Sequence, residues 1–300
     1  MTAQPAPKTR PSRVHEAFDF YGEAGGAGPV LFAVPHAGRC YAPALLARAR
    51  VAPEVLMRLE DRHADRLADG LIDKGHCVLV ARQPRALIDL NRDETDVDVR
   101  AIADAPWSFR GQPSAKVRGG LGLIPERLAH TGNLWREALP FAELRRRIEQ
   151  VHRPYHHALG EALETARQRH GVALLIDIHS MPPLRQMPGM QAPAPRIVIG
   201  DRFGRSATDR LTDLCADIVR RHALPVAINA PYPGNHILAR HGRPGQGIHA
   251  IQIEVDRSLY LAPDLMTPGP GLSQMQRLLS DLATIMTQDL FDSGFPLAAE

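Results

Sequence analysis

A single α/β domain, built on a mostly parallel mixed sheet flanked by helices, is the fold the sequence predicts. Three observations predict it. Short apolar runs of strand length recur (PVLFAV at 29–34, CVLVA at 77–81, VALLIDI at 172–178), as expected of strands buried on both faces. Stretches with helical spacing separate them, the alternation that βαβ units require. No internal repeat or clear linker divides the chain, so residues 15–300 read as one domain behind a polar, proline-rich, flexible tail at 1–14.

Taken in order, PVLFAV stops at Pro35-His36 and is read as a buried strand running into a loop. Residues 44–58 and 60–74 carry helical spacing; in the second, Ala64, Leu67, Ala68, Leu71 and Ile72 form one stripe, and Gly75 falls where a helix C-cap belongs. Residues 105–140 are rich in Gly and Pro with little periodicity and read as a long excursion of short elements. Residues 141–170 form a strong helical segment that Pro154 should kink or split. The strand VALLIDI, broken only by Asp177, ends at His179-Ser180. Strands at 196–200 and 225–229 flank an amphipathic helix at 206–222, and a helix at 271–290 closes the chain. Residues 248–255 alternate, with Ile251, Ile253 and Val255 on one face and Gln252 and Glu254 on the other.

A hydrophobic content of 44 % and a charged content of 23 % are ordinary for a globular protein. The formal charge of +3 is spread as arginine along the chain. It forms no basic stripe of the kind nucleic-acid binding requires. Cys40, Cys77 and Cys215 have neither a CxxC spacing nor an even number, which argues against a disulfide framework and a cysteine-rich zinc site and fits a reducing cytoplasm. No apolar run reaches membrane-spanning length, and Met1 to Ser12 does not resemble a signal peptide.

In open α/β sheets, ligands bind at the carboxyl ends of the strands. His36 and His179 both sit there. Either alone is more often a hydrogen-bonded loop residue, but the pair can meet above one sheet and neutral imidazole is a common metal ligand. Asp61, His63 and Asp65 cluster in DRHADRL. First-turn acids at a helix dipole explain Asp61 well and Asp65, a turn further in, less well. Asn91 and Arg92 stand in DLNR, where the guanidinium fork could grip a carboxylate and an exposed salt bridge is the simpler account. Glu254, a carboxylate within a strand, needs either a cationic partner such as Arg257 or a task such as general base. The loop at 232–247, with Arg240, His241 and Arg243, reads as a cover over the site. Cys40 and Ser180 are nucleophile candidates without a Gly-x-Ser-x-Gly elbow.

Together these segments resemble the N-formylglutamate amidohydrolase family. The matching stretches are VPHAG at 34–38, DRHADRL at 61–67, LIDLNRDETD at 87–96, GLGLIPE at 120–126, PYHHAL at 154–159, LLIDIHSMP at 174–182, IVIGDRFG at 197–204 and RHGRPGQGIHAIQIEVDRSLY at 240–260. The resemblance extends to the zinc carboxypeptidases and aspartoacylases, and so implies a phosphorylase/carboxypeptidase-like sheet and one zinc ion, or a similar divalent ion. It implies His36 and His179 as metal ligands, Asn91 and Arg92 as a substrate-holding pair, and Glu254 as general base. The wider group carries a glutamate three residues after the first histidine, where this chain has Arg39. The carboxylate ligand is therefore expected from elsewhere, with Asp65 first and His63 or Asp61 in reserve.

On this reading a metal ion at His36, Asp65 and His179 activates water. Glu254 moves its proton, and Arg92, joined by Arg240, His241, Arg243 or Arg257, holds a small anionic N-acyl amino acid. The family's reaction gives formate and L-glutamate, within histidine catabolism. A related deacylase or carboxypeptidase-like hydrolase would differ in its substrate panel. A non-catalytic anion-binding protein on the same fold would show little metal and no turnover.

Overall fold

The computed structural model describes residues 9–186 and 193–293. One eight-stranded sheet organises them, in the order Arg13–Val14, Phe18–Tyr21, Cys77–Ala81, Val30–Val34, Ala173–Met181, Ile248–Asp256, Ile197–Gly200, Val226–Ile228. The middle strands, from Cys77–Ala81 through Ile248–Asp256, run parallel; the strands on either side of that block are antiparallel to it. All residues of the Val30–Val34, Cys77–Ala81 and Ala173–Met181 strands are buried. This is why they appear in sequence as unbroken apolar runs rather than alternating ones.

Helices cover both faces. One face packs Leu67, Leu71, Leu211, Cys215, Leu278 and Leu282 against the sheet, with the helices Asp209–Arg221 and Leu272–Asp292 contributing most. The other packs Leu144, Tyr155, Leu159 and Leu163 from the segment 141–170. That segment is split, as Pro154 suggests: helix Phe141–Arg147, a π-turn at Ile148–His152, then helix Arg153–His170. A proline inside a helix removes one hydrogen bond and crowds the carbonyl a turn earlier. The wider π-turn ends just before Pro154, placing it in the first turn of the second helix, where its missing N–H is harmless.

Several expectations change. Residues 44–74 break into short helices, Pro43–Arg48, Pro53–Met57, Ala64–Leu67 and Asp69–Asp73, rather than two long ones. The Ala173–Met181 strand runs through His179 and Ser180, so His179 is a strand residue and not a loop residue. Arg13 and Val14, expected in the tail, pair with Phe20 and Asp19; residues 1–8 of that tail lie outside the described residues, as do 294–300. The sequence reading missed the strand Phe18–Tyr21, only four residues long. Among the described residues no helix is long and apolar enough to cross a membrane.

Candidate metal centre and active site

The carboxyl ends of the parallel strands bring the chemistry together. His36 follows Val30–Val34 by two residues, and His179 lies near the end of the adjacent parallel strand. Glu254 is the direct cross-strand partner of His179, and Gln252 of Asp177. Residues opposite one another project to the same side of a sheet, so this register alone places Glu254 beside His179.

His36, Asp61 and His179 form a buried cluster whose ligand atoms lie within 4.8 Å of one another. Asp61 Oδ2 is 3.4 Å from His36 Nδ1 and 3.0 Å from His179 Nδ1. For a tetrahedral ion with bonds near 2.0–2.1 Å, ligand atoms stand about 3.3 Å apart. Each imidazole is oriented through its other nitrogen: His36 Nε2 donates to Asp89 Oδ1 at 2.7 Å, and His179 Nε2 to Asp177 Oδ2 at 2.9 Å. A carboxylate behind a histidine fixes its tautomer and raises its basicity, the usual support of a metal-ligating ring. With Nε2 committed, the Nδ1 lone pairs turn toward Asp61. His36 Nδ1 is buried without a hydrogen-bond partner. A His36 Nδ1 lone pair facing a carboxylate oxygen is repelled unless a proton or cation lies between them, and His179 Nδ1 meets the same oxygen, so these residues fit a divalent ion.

Asp61 is held in place from several directions. Its N–H donates to the His36 carbonyl at 3.0 Å. Its Oδ1 accepts from Ser180 Oγ at 3.3 Å and Arg257 Nη2 at 3.2 Å, leaving Oδ2 for the histidines. Burial alone would raise the Asp61 pKa, but the adjacent His179 and His36 rings outweigh it and hold the carboxyl well below its usual value. Burial similarly opposes ionisation of Asp89, and is outweighed by Arg85 and His36. For His179, burial favours the neutral ring, yet Asp177 and Asp61 raise its pKa well above the ordinary value. The field of these carboxylates calls for positive charge at this point. Glu254 behaves oppositely: burial pushes it up to about 7, with His179 pulling the other way. Gln252 Nε2 donates to its Oε1 at 3.0 Å.

The remaining sequence candidates divide. Asp65, expected as the carboxylate ligand, is not in the cluster. Both its oxygens accept from Arg39, at 2.8 and 2.6 Å, so the arginine that replaces the wider group's glutamate ties it up in a half-exposed ion pair. His63 is also outside the cluster, as the left-handed residue preceding helix Ala64–Leu67. Asn91 and Arg92 reach the pocket. Asn91 Nδ2 is 3.4 Å from His179 Nε2 while its Oδ1 accepts from the Ile237 N–H, and Arg92 Nε donates to the Leu121 carbonyl. Arg257 lines the pocket but spends its donors on Ser180, the Glu60 carbonyl and Asp61. Arg240 and His241 do not line it: residues 236–241 form a helix instead of a loose cover, with Arg240 exposed and His241 buried against His156. Only the start of that segment, Tyr232 to Asn235, borders the pocket, which also takes in Arg58, Arg85 and Lys116. Ser180 is anchored between Arg257 and Asp61, and exposed Cys40 lies outside the pocket.

The sequence reading undervalued Asp61, Asp89 and Asp177. Asp177 left a usable signal: a lone carboxylate in an apolar run, two residues before His179 and so on the same strand face.

An α/β sheet with two carboxylate-backed histidines, a buried aspartate and a neighbouring glutamate of raised pKa at its carboxyl edge defines a hydrolase with a metal-competent site. Residues 28–261 match the N-formylglutamate amidohydrolase family, and the chain belongs to that amide-hydrolysing family. It is 32 % identical over 247 residues to N-formylglutamate deformylase of Pseudomonas putida, covering 79 % of this chain and 83 % of that one. The enzyme of the same name from Pseudomonas aeruginosa is 29 % identical over the same span. The crystal structure of N-formylglutamate amidohydrolase from Ralstonia eutropha JMP134 superposes with a TM-score of 0.84 at 33 % identity, covering 93 % of this chain and 99 % of that one.

Proposed function

We propose that the chain hydrolyses N-formyl-L-glutamate to formate and L-glutamate, with one divalent ion, zinc by preference, held by His36, Asp61 and His179. The observation that carries this reading is the convergence of two carboxylate-oriented imidazoles on Asp61 beside Glu254. A nitrogen–nitrogen–carboxylate set suits zinc, which when bound supplies Lewis acidity toward a carbonyl and makes water a competent nucleophile at neutral pH.

The chain's own residues do the rest. Glu254, with a pKa of about 7, is balanced between accepting and giving a proton. It takes the proton of the attacking water and delivers it to the leaving nitrogen, so that water adds across the amide and the C–N bond breaks. Gln252 fixes the Glu254 carboxylate, and Asp89 and Asp177 keep both imidazoles in one tautomer. Arg92, its guanidinium plane set by the Leu121 carbonyl, receives a substrate carboxylate, with Arg58 and Lys116 in the same pocket for the second. Arg257 acts on the site by holding Asp61.

A panel of N-formyl-L-glutamate, N-acetyl-L-glutamate and N-formyl-L-leucine tests the substrate. Formate release from the first, falling steeply when either the formyl group or the side-chain carboxylate is changed, is the expected result. Equal turnover of all three would contradict the assigned specificity.

A further inference from the structure

A second group of histidines lies behind the Leu90–Arg92 segment. His152 and His156 are a turn apart across the π-turn and the start of helix Arg153–His170, and His236 and His241 are the first and last residues of a neighbouring short helix. His152, His156 and His236 each offer a ring nitrogen within 4.8 Å of the others.

The hydrogen bonds decide where the lone pairs are. His152 Nε2 meets the Arg92 carbonyl at 2.8 Å and His156 Nε2 meets the Leu90 carbonyl at 2.9 Å. A carbonyl only accepts, so both Nε2 atoms carry hydrogen and the neutral rings keep their lone pairs on Nδ1. His152 Nδ1 is buried with no hydrogen-bond partner, and so is His236 Nε2. The other nitrogen of His236 lies 3.7 Å from Asp93 Oδ2, near a carboxylate but beyond direct hydrogen-bond distance. His156 Nδ1 stands 3.0 Å from His241 Nε2. Glu94 Oε1 is 3.6 Å from His152 Nδ1. Buried nitrogens left unpaired are costly, and one nitrogen of each of the His152, His156 and His236 rings lies within 4.8 Å of the others.

We propose that His152, His156 and His236 form a second metal site, for a borderline divalent transition ion such as zinc, cobalt or nickel, with His241 as a further ligand once its proton moves to Nδ1. Burial first, and the neighbouring cationic groups second, keep His156, His236 and His241 neutral near pH 7, which is the ligating form. A cavity bounded by Asn91, Asp93, Thr95 and Asn235 reaches His236 from the surface. An ion there would fix the rings that clamp the carbonyls on either side of Asn91, and so the segment that presents Asn91 and Arg92 to the pocket.

The test is metal binding, independent of turnover. His36→Ala removes a ligand of the first cluster and His236→Ala one of the second. Each protein is stripped, reloaded with zinc or cobalt(II), and assayed for bound metal and for the visible cobalt spectrum, with a cooperative thermal melt to establish folding. Wild type should hold about two equivalents, each single variant about one, and the double variant none. His152→Gln should repeat the His236→Ala result. A folded His36→Ala protein that binds no ion, or whose ion is indifferent to both His236→Ala and His152→Gln, overturns the second site. Should the first cluster bind nothing, His36→Ala leaves stoichiometry unchanged while His236→Ala still removes an ion, so failure of either site is read separately.

Discussion

The N–H of Asp61 donates to the carbonyl of His36 at 3.0 Å, joining the loop after one central strand to the turn that precedes helix Ala64–Leu67. That one backbone bond makes Asp61 the carboxylate partner of the histidine pair, and leaves Asp65 to face Arg39.

Asp61→Ala is therefore expected to lower metal affinity and formate release by at least about 100-fold, since it removes the proposed ligand and a buried hydrogen-bond acceptor together. Asp65→Ala should leave both nearly unchanged and cost at most about 1 kcal/mol of stability, because its ion pair with Arg39 is partly exposed. Chelator competition on the two variants checks this. Equal losses would return Asp65 to the site.

Asp89→Asn and Asp177→Asn keep the shape of the imidazole supports and remove their charge. Each is expected to reduce metal affinity or activity about 10- to 100-fold while the protein still folds. Retained affinity in both would show that the rings need no carboxylate behind them.

Much of this was legible in the sequence. The Val30–Val34, Cys77–Ala81 and Ala173–Met181 strands announce themselves because burial on both faces leaves no place for polar residues. His36, His179 and Glu254 could be singled out because each stands at a strand's end or interrupts its apolar pattern. Asp61 stood only in reserve behind Asp65, since its placement depends on a hydrogen bond to His36, a residue distant in sequence, and on a short helix that begins only at Ala64. His241 misled for a related reason: a loop rich in Gly, His and Arg folds as a helix, and the histidine turns inward to His156.

Glu254→Gln should lower kcat by about 100- to 10,000-fold with a small change in KM, the signature of lost proton transfer. The base must be ionised to act, so wild-type kcat/KM should fall as the pH drops through the Glu254 pKa of about 7. A nearby cation favours the ionised form, which places this limb at or below that value. Residual activity of Glu254→Gln should lack the limb. An unchanged profile in the variant would assign the proton transfer elsewhere.

Gly38 in the loop after His36 approaches the Gln83 backbone so closely that an added Cβ would lie 2.0 Å from its carbonyl oxygen. Gly38→Ala is expected to displace the His36 loop and cost about 1–3 kcal/mol, seen as a lowered Tm together with weaker metal binding. A wild-type Tm with wild-type affinity would mean that the loop has slack that the structure does not display.

The most direct test of the central claim is formate release from N-formyl-L-glutamate, followed through chelation and return of a divalent ion. The account predicts activity that disappears on chelation, returns with zinc or cobalt in wild type, and does not return in Asp61→Ala. Formate release that survives complete removal of metal, or that Asp61→Ala recovers as fully as wild type, would contradict it.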